Sequence, residues 1–174
     1  MMALVKASWM PTCKMDRIIL HWTAGAHTAS ATDKQHYHIL VQGDGTLVRG
    51  DHTIDDNVNT GDDDYAAHTR GTNTRSIGVS ACSMAGAQQS PFKPGSFPMK
   101  KSQWLTMAAV TAELATFYAI PATPTTILGH GEVQKNLKIK QNGKWDPMVL
   151  PWDTSLSSAQ VGNLFRAEVA KLMK

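Results

Sequence analysis

Seven histidines are spread along the 174 residues of this chain, and two of them share a setting. His21 closes the apolar run Ile18-Ile19-Leu20, and His130 follows Ile127-Leu128; small residues come soon after each. Ligand sites in α/β sheets form beyond strand ends, and small neighbours leave room there for a metal and its water. A catalytic zinc takes three protein ligands and keeps one position open, so two histidines call for a third donor. Lys144-Trp145-Asp146, just before Pro147, supplies one. On an extended segment residues i and i+2 point to the same side, which puts Lys144 and Asp146 on one face and turns Trp145 inward. An ammonium beside a metal-bound carboxylate is placed to stabilise charge developing on a substrate oxygen. Asp153, in Pro151-Trp152-Asp153, is the alternative third donor. Each residue alone has an ordinary reading as a core histidine, a surface lysine or a turn aspartate; the chemistry lies in the combination.

These side chains need rigid elements to hold them. Arg17–Leu20 reads as a buried strand running to His21. His36 to Gly50 reads as two strand-like runs about Gly43-Asp44-Gly45, a hairpin signal. If the first run is a strand from its start, Tyr37, Ile39 and Val41 share one face and His36, His38 and Leu40 the other. Ser76–Ser83 is short, apolar and small, as expected of a central strand covered on both faces. Ser102 can cap a helix running to about Ala119. Its alanine stripe (Ala108, Ala112, Ala115) lies beside bulky residues, so it is expected to be buried nearly all round. A last helix starts near Ser157–Ser158, with Val161, Leu164, Phe165, Val169 and Leu172 on its inner face. Strands separated by helices predict one α/β domain over residues 1–174, its core at about 16–174, with a central mixed sheet flanked by helices. The long segment 83–101 is expected to be a lid, a groove wall or a mobile stretch.

Composition narrows the function classes. Hydrophobic residues make up 42% and no apolar run is long enough for a spanning helix, so no membrane insertion is expected. Two cysteines cannot build a disulfide framework and read as reduced thiols. Residues 1–89 carry 7 basic and 9 acidic groups, residues 90–174 carry 10 and 5. A mildly basic second half suits an anionic polymer such as a bacterial envelope. Leu137-Lys138-Ile139-Lys140 and its neighbours lack the interleaved aromatics of a nucleic-acid reader, so no nucleic-acid partner is expected.

Five pieces then fall in a recognisable order: His21-Trp22-Thr23-Ala24-Gly25; Tyr37-His38 ahead of the Gly-Asp-Gly turn; His68 through Arg70 and Asn73 to Val79; Gly129-His130-Gly131-Glu132; and Lys144-Trp145-Asp146-Pro147. In that order they resemble zinc N-acetylmuramoyl-L-alanine amidases, which share a fold with peptidoglycan recognition proteins and amidase-type phage lysozymes. The resemblance spans residues 16–153. It implies Zn2+ on His21, His130 and Asp146, and hydrolysis of the amide between N-acetylmuramic acid and L-alanine of the peptidoglycan stem. Zinc would activate water and polarise the carbonyl, with Lys144 and Tyr37 stabilising the oxyanion and moving protons. Where some members carry a glutamate base, directly after the Ser-Ile-Gly-Val strand, this chain has Ser80, which places it with the branch that uses a tyrosine, here Tyr37. The stretch between His130 and Asp146 is longer than usual, the excess lying in residues 137–143.

The resemblance also puts His68 and Arg70 beside the substrate groove, with an exposed loop as the other reading. Trp22 either stacks on a sugar or packs behind its strand. Glu132 is either a partner of the site or a helix-start carboxylate. The first residues show no secretory signal, so the expected protein is a monomeric phage or prophage endolysin. It would be made in the host cytoplasm and reach the wall through a holin or an injection device. The alternatives are a non-catalytic peptidoglycan-binding module of the same fold and an interbacterial toxin amidase.

Overall fold

A computed structural model describes residues 3–173. Five strands form one mixed sheet in the order β3-β2-β4-β1-β5. They are β1 (Arg17–Trp22), β2 (Ile39–Val41), β3 (Leu47–Arg49), β4 (Ser76–Ala81) and β5 (Ile127–Gly129). β2 and β3 pair antiparallel as the expected hairpin, while β2–β4, β4–β1 and β1–β5 are parallel. The hairpin turn forms where Gly45 takes a positive φ of 86° and Asp44 Oδ1 accepts from Thr46 N at 2.9 Å.

Strand alternation sorts the residues of β1 and β4 chemically. Ile18, Leu20 and Trp22 of β1, with Ile77, Val79 and Ala81 of β4, enter the large core. That core is completed by α2 (Lys101–Phe117) and α4 (Ser158–Leu172). Burying each isoleucine or leucine there contributes about 1.5–3 kcal/mol. The other face carries Ile19, which joins Leu128 and Val133 in a smaller cluster beside α3 (His130–Leu137). Period two therefore places His21 on this second face, next to Ser80, its register partner on β4. β4 is buried on both sides as expected, but its second face is small and polar: Ser76, Gly78 and Ser80.

α2 differs at both ends from the span read in the sequence. It starts ahead of Ser102, because Gln103 Oε1 accepts from Lys100 N at 3.0 Å and closes the first turn. It stops at Phe117, and Ala119 follows at a φ of 54°. Nor is it buried all round: Leu105 and Phe117 are exposed, whereas the three alanines of the stripe are buried. Glu113 on α2 accepts from Leu4 N and Val5 N at 2.7 and 2.9 Å, tying the segment before β1 across the helix.

Two short helices have no periodicity in the sequence and bear on the site. α1 (Ala31–His36) is held by a reciprocal cap, Asp33 N to Ser30 Oγ at 3.1 Å and Ser30 N to Asp33 Oδ2 at 2.9 Å. It invalidates strand parity for His36 and Tyr37: β2 begins only at Ile39, and both residues line one cleft while His38 faces away into the fold. α3 begins at His130 itself. Glu132 accepts from Gly129 N at 3.0 Å and meets Arg166 of α4 through two 3.0 Å contacts, so it is the helix-start carboxylate.

Candidate active site

Three side chains converge where β1 ends and α3 begins. His21 Nδ1 lies 3.1 Å from Asp146 Oδ2, and His130 Nδ1 lies 3.4 Å from the same oxygen. The two imidazoles stand nearly edge to face with centroids 4.8 Å apart. All three residues are buried, at 0, 5 and 8% exposure. Asp146 reaches His130 because the 145–148 segment closes tightly on the start of α3, where Gly131 N donates to Asp146 O at 2.8 Å. A Cβ at Gly131 would lie 3.0 Å from Trp145 Cα, and at Gly129 it would collide with the Met148 side chain. The glycines flanking His130 are what permit this approach. Asp153 is elsewhere, accepting from Ser155 N at 3.3 Å in an exposed turn.

The outer nitrogens of both histidines are committed to protein partners. Gln141 Nε2 faces two carbonyls, Arg70 O at 2.8 Å and Ile139 O at 3.5 Å, so its Oε1 is the end that meets His130 Nε2 at 2.9 Å. That oxygen can only accept; His130 therefore carries its proton on Nε2 and turns a lone pair on Nδ1 toward Asp146. On the other side His68 Nε2 donates to Ser76 O at 3.2 Å, which leaves His68 Nδ1 an acceptor. His21 Nε2 lies 3.2 Å from that nitrogen and 3.3 Å from Thr69 Oγ1. His21 thus donates outward from Nε2 and also turns Nδ1 inward.

The set fits a metal ion. Two imidazole lone pairs and a carboxylate oxygen pointed at one another repel unless a cation lies among them. Donors held at about 2.0–2.1 Å around a tetrahedral zinc stand about 3.3 Å apart, close to the 3.1 and 3.4 Å separations from Asp146. Among the described residues these three form the group of histidine, cysteine and acidic side chains able to hold a metal.

Burial governs the protonation states. It lowers the His21 pKa from 6.5 to about 4 against the pull of Asp146, with His130 and Lys144 adding to the depression. His68 is also driven well below the usual value, first by burial and then by His21 and His38. Burial works to raise Asp146, and protons on the facing nitrogens of His130 and His21 would outweigh it and lower the carboxyl; with lone pairs turned inward, a bound cation would take over that part and keep the carboxylate ionised. Near neutral pH His21 and His68 are neutral and the carboxylate is ionised, the forms metal coordination requires. Tyr37 moves upward through burial, Asp146 and Asp33, so its phenol keeps its proton.

The cluster opens into a cleft of about 470 Å³ lined by Tyr37, Lys144 and the small residues Thr23 and Ala24. The Tyr37 ring lies 5.0 Å from that of His21. Lys144 is exposed at the rim and also borders an adjoining hollow of about 300 Å³ that holds Arg70. His68 touches both spaces but is buried behind His21; a Cβ at Gly78 would lie 2.7 Å from its ring, so β4 makes room for it. Trp22 is 5% exposed, its indole edge-on to Trp145 at 4.7 Å, leaving little ring face for a sugar. Ser80 Oγ is buried beside His21 on the sheet without a hydrogen-bond partner. Segment 83–101 does not line the cleft; Phe92 packs near Trp145, and Met84 and Met99 are in the core. Thr69 and Gln141 stand out only in three dimensions. Nothing in their sequence context marks them; Gln141 falls in the stretch 137–143 between His130 and Asp146.

Fold and site together define an α/β protein that presents a two-histidine, one-carboxylate set at its strand ends to an open cleft. A sequence model of one family, described as N-acetylmuramoyl-L-alanine amidase, matches residues 11–148. The chain belongs to that amidase family, whose substrate is peptidoglycan. No curated protein sequence matches it. Among solved structures it resembles the Staphylococcus aureus hydrolase AmiA, solved with its ligand, at a TM-score of 0.57 and 15% identity over 92% of this chain and 75% of that one. It also resembles the Ph2119 endolysin from Thermus scotoductus MAT2119 bacteriophage Ph2119, at a TM-score of 0.50 and 18% identity over 88% of each chain. At such identities the likeness is one of fold. No helix among the described residues is long and apolar enough to cross a membrane.

Proposed function

We propose that this chain is a zinc-dependent peptidoglycan amidase that hydrolyses the bond between the lactyl group of N-acetylmuramic acid and L-alanine of the stem peptide. The observation that carries the reading is the convergence of His21 Nδ1 and His130 Nδ1 on Asp146 Oδ2, at 3.1 and 3.4 Å, in a buried group open to the cleft. Zinc bound there supplies a Lewis acid for the amide carbonyl and makes water nucleophilic near neutral pH.

The remaining work falls to side chains of the cleft. Tyr37, kept protonated, donates a hydrogen bond to the oxygen that becomes negative as the carbonyl is attacked. Lys144, exposed where it lines the cleft beside Asp146, adds a positive charge at the rim. Water adds across the C–N bond, leaving a carboxylate on the lactyl group and a free amine on alanine. Arg70 and Lys144 give the adjoining hollow two cations and no acidic side chain, which suits the carboxylates of the stem peptide. The site therefore offers a reacting centre and a neighbouring place for the peptide.

A role as an endolysin is supported by the shared fold with a phage endolysin and by the basic second half of the chain. The test compares the parent with Asp146→Ala on purified cell walls. Lysis by the parent, lost in the variant while wall binding persists, supports the enzyme. A parent that binds walls without lysing them supports a binding module instead.

A further inference from the structure

The metal-ligand histidines are held by different devices. His21 sits at the end of a buried strand and is backed by His68 and Thr69, themselves anchored to the body of the fold: His68 to Ser76 O, and both backbone amides to Asn73 Oδ1. His130 has no such anchor in the sheet. Its outer nitrogen meets one side chain, Gln141, which belongs to the stretch after α3.

Gln141 is built into place. It is 4% exposed although both neighbours on its C-terminal side, Asn142 and Gly143, are exposed. Its backbone N donates to Gln134 Oε1 of α3 at 3.0 Å. Its side-chain amide donates to Arg70 O at 2.8 Å, across 71 positions of sequence. The carboxamide thereby has its NH2 end fixed by a carbonyl of the groove wall and its oxygen aimed at His130. A surface loop has no need to bury an amide in this way, and an orientation set by two carbonyls leaves the oxygen no role except to accept.

We propose that Gln141 is a positioning residue for the metal centre: it fixes the Nε2–H tautomer and ring orientation of His130, so that Nδ1 is presented to the ion. This rests on the metal reading above. An acceptor behind a ligating imidazole raises its basicity and fixes its tautomer, and removing such a partner weakens metal affinity by about 10–100-fold.

The test is equilibrium binding of Zn2+ to the metal-stripped full-length chain, in competition with a chromogenic chelator, for the parent, Gln141→Ala and Gln141→Glu. Melting of the metal-free proteins is followed in parallel. Q141A is expected to bind zinc about 10–100-fold more weakly than the parent. Q141E keeps an oxygen acceptor for His130 but loses the donor to Arg70 O. It is expected to bind zinc within about threefold of the parent, or more tightly, even where its metal-free melting temperature drops. A purely structural role for the loop tether predicts the reverse, with Q141E as damaging as Q141A. Zinc affinity of Q141A within twofold of the parent, or parallel tenfold losses in both variants, overturns the proposal. If Q141A does not fold, the Q141E affinity decides alone. A parent that takes up no zinc overturns the proposed function itself, whereas a zinc-binding parent matched by Q141A overturns only the role of Gln141.

Discussion

His21 and Asp146 are 125 positions apart in the chain, yet Nδ1 of one lies 3.1 Å from Oδ2 of the other. Two independent pieces of architecture bring them together. The parallel pairing of β1 with β4 and β5 fixes His21 at the end of a buried strand. The glycines around His130 let the 145–148 segment lie against the start of α3. Neither arrangement serves packing alone, since both end in buried polar atoms.

Gly131→Ala tests the second of these. The added methyl would press on the Trp145 backbone at 3.0–3.1 Å, which is main chain and gives little. Asp146 is expected to move away from His130, and zinc affinity to fall at least about tenfold, in the range seen when ligand geometry is disturbed. Unchanged affinity in the competition assay would show that the segment adapts.

Tyr37→Phe removes the phenol and keeps the ring that lies 5.0 Å from His21. Loss of one donor to a developing oxyanion costs about 10²–10³ in kcat. Steady-state kinetics on solubilised peptidoglycan are expected to show that loss with zinc content unchanged. A kcat within threefold of the parent would remove Tyr37 from the chemistry.

Much of the site was legible because it follows strand ends. His21 and His130 stand out by closing apolar runs; Asp146 stands out only through its Lys-Trp-Asp-Pro context, since Trp145, expected to turn inward, lines the same cleft as Lys144 and Asp146. What stayed hidden depends on chain elements too short to carry a period. α1 has six residues, so its helical geometry carried His36 and Tyr37 to one cleft against strand alternation. Gln141 and Thr69 gain their roles from partners far along the chain, and no local pattern announces such contacts. The fold was legible for the related reason that β1, β4 and α4 carry apolar patterns, although Leu164 of α4, read as inward, is exposed while Val161, Phe165 and Val169 are buried. The start of α2 was misplaced because its first turn is closed by Gln103 and not by a serine.

Stability is expected to fall as pH drops below about 6.5. Burial lowers His38 from 6.5 to about 4, where it donates to Asn57 Oδ1 and accepts from Gly78 N. Between these values the unfolded chain binds a proton that the folded chain refuses, so stability is present above 6.5 and lost on acidification toward 4. One such histidine gives a slope of roughly 1 kcal/mol per pH unit, and His68 acts in the same direction. Denaturant unfolding of metal-free protein at pH 7, 6 and 5 measures this; a flat profile contradicts a neutral buried His38.

Arg166→Met is expected to destabilise the fold by about 3–5 kcal/mol, because it strands the buried Glu132 carboxylate at the start of α3. The double variant with Glu132→Gln is expected to recover part of that loss. Equal losses in the single and double variants, read from denaturant midpoints, would show that the ion pair is not the source.

The most direct test is digestion of purified peptidoglycan by metal-stripped protein and by the same protein reloaded with zinc, with mass analysis of the products. Free stem peptides beginning at L-alanine are expected, from the zinc-loaded protein only. The same peptides from stripped protein held in chelator, or reducing sugar ends in place of peptides, would contradict a zinc amidase built on His21, His130 and Asp146.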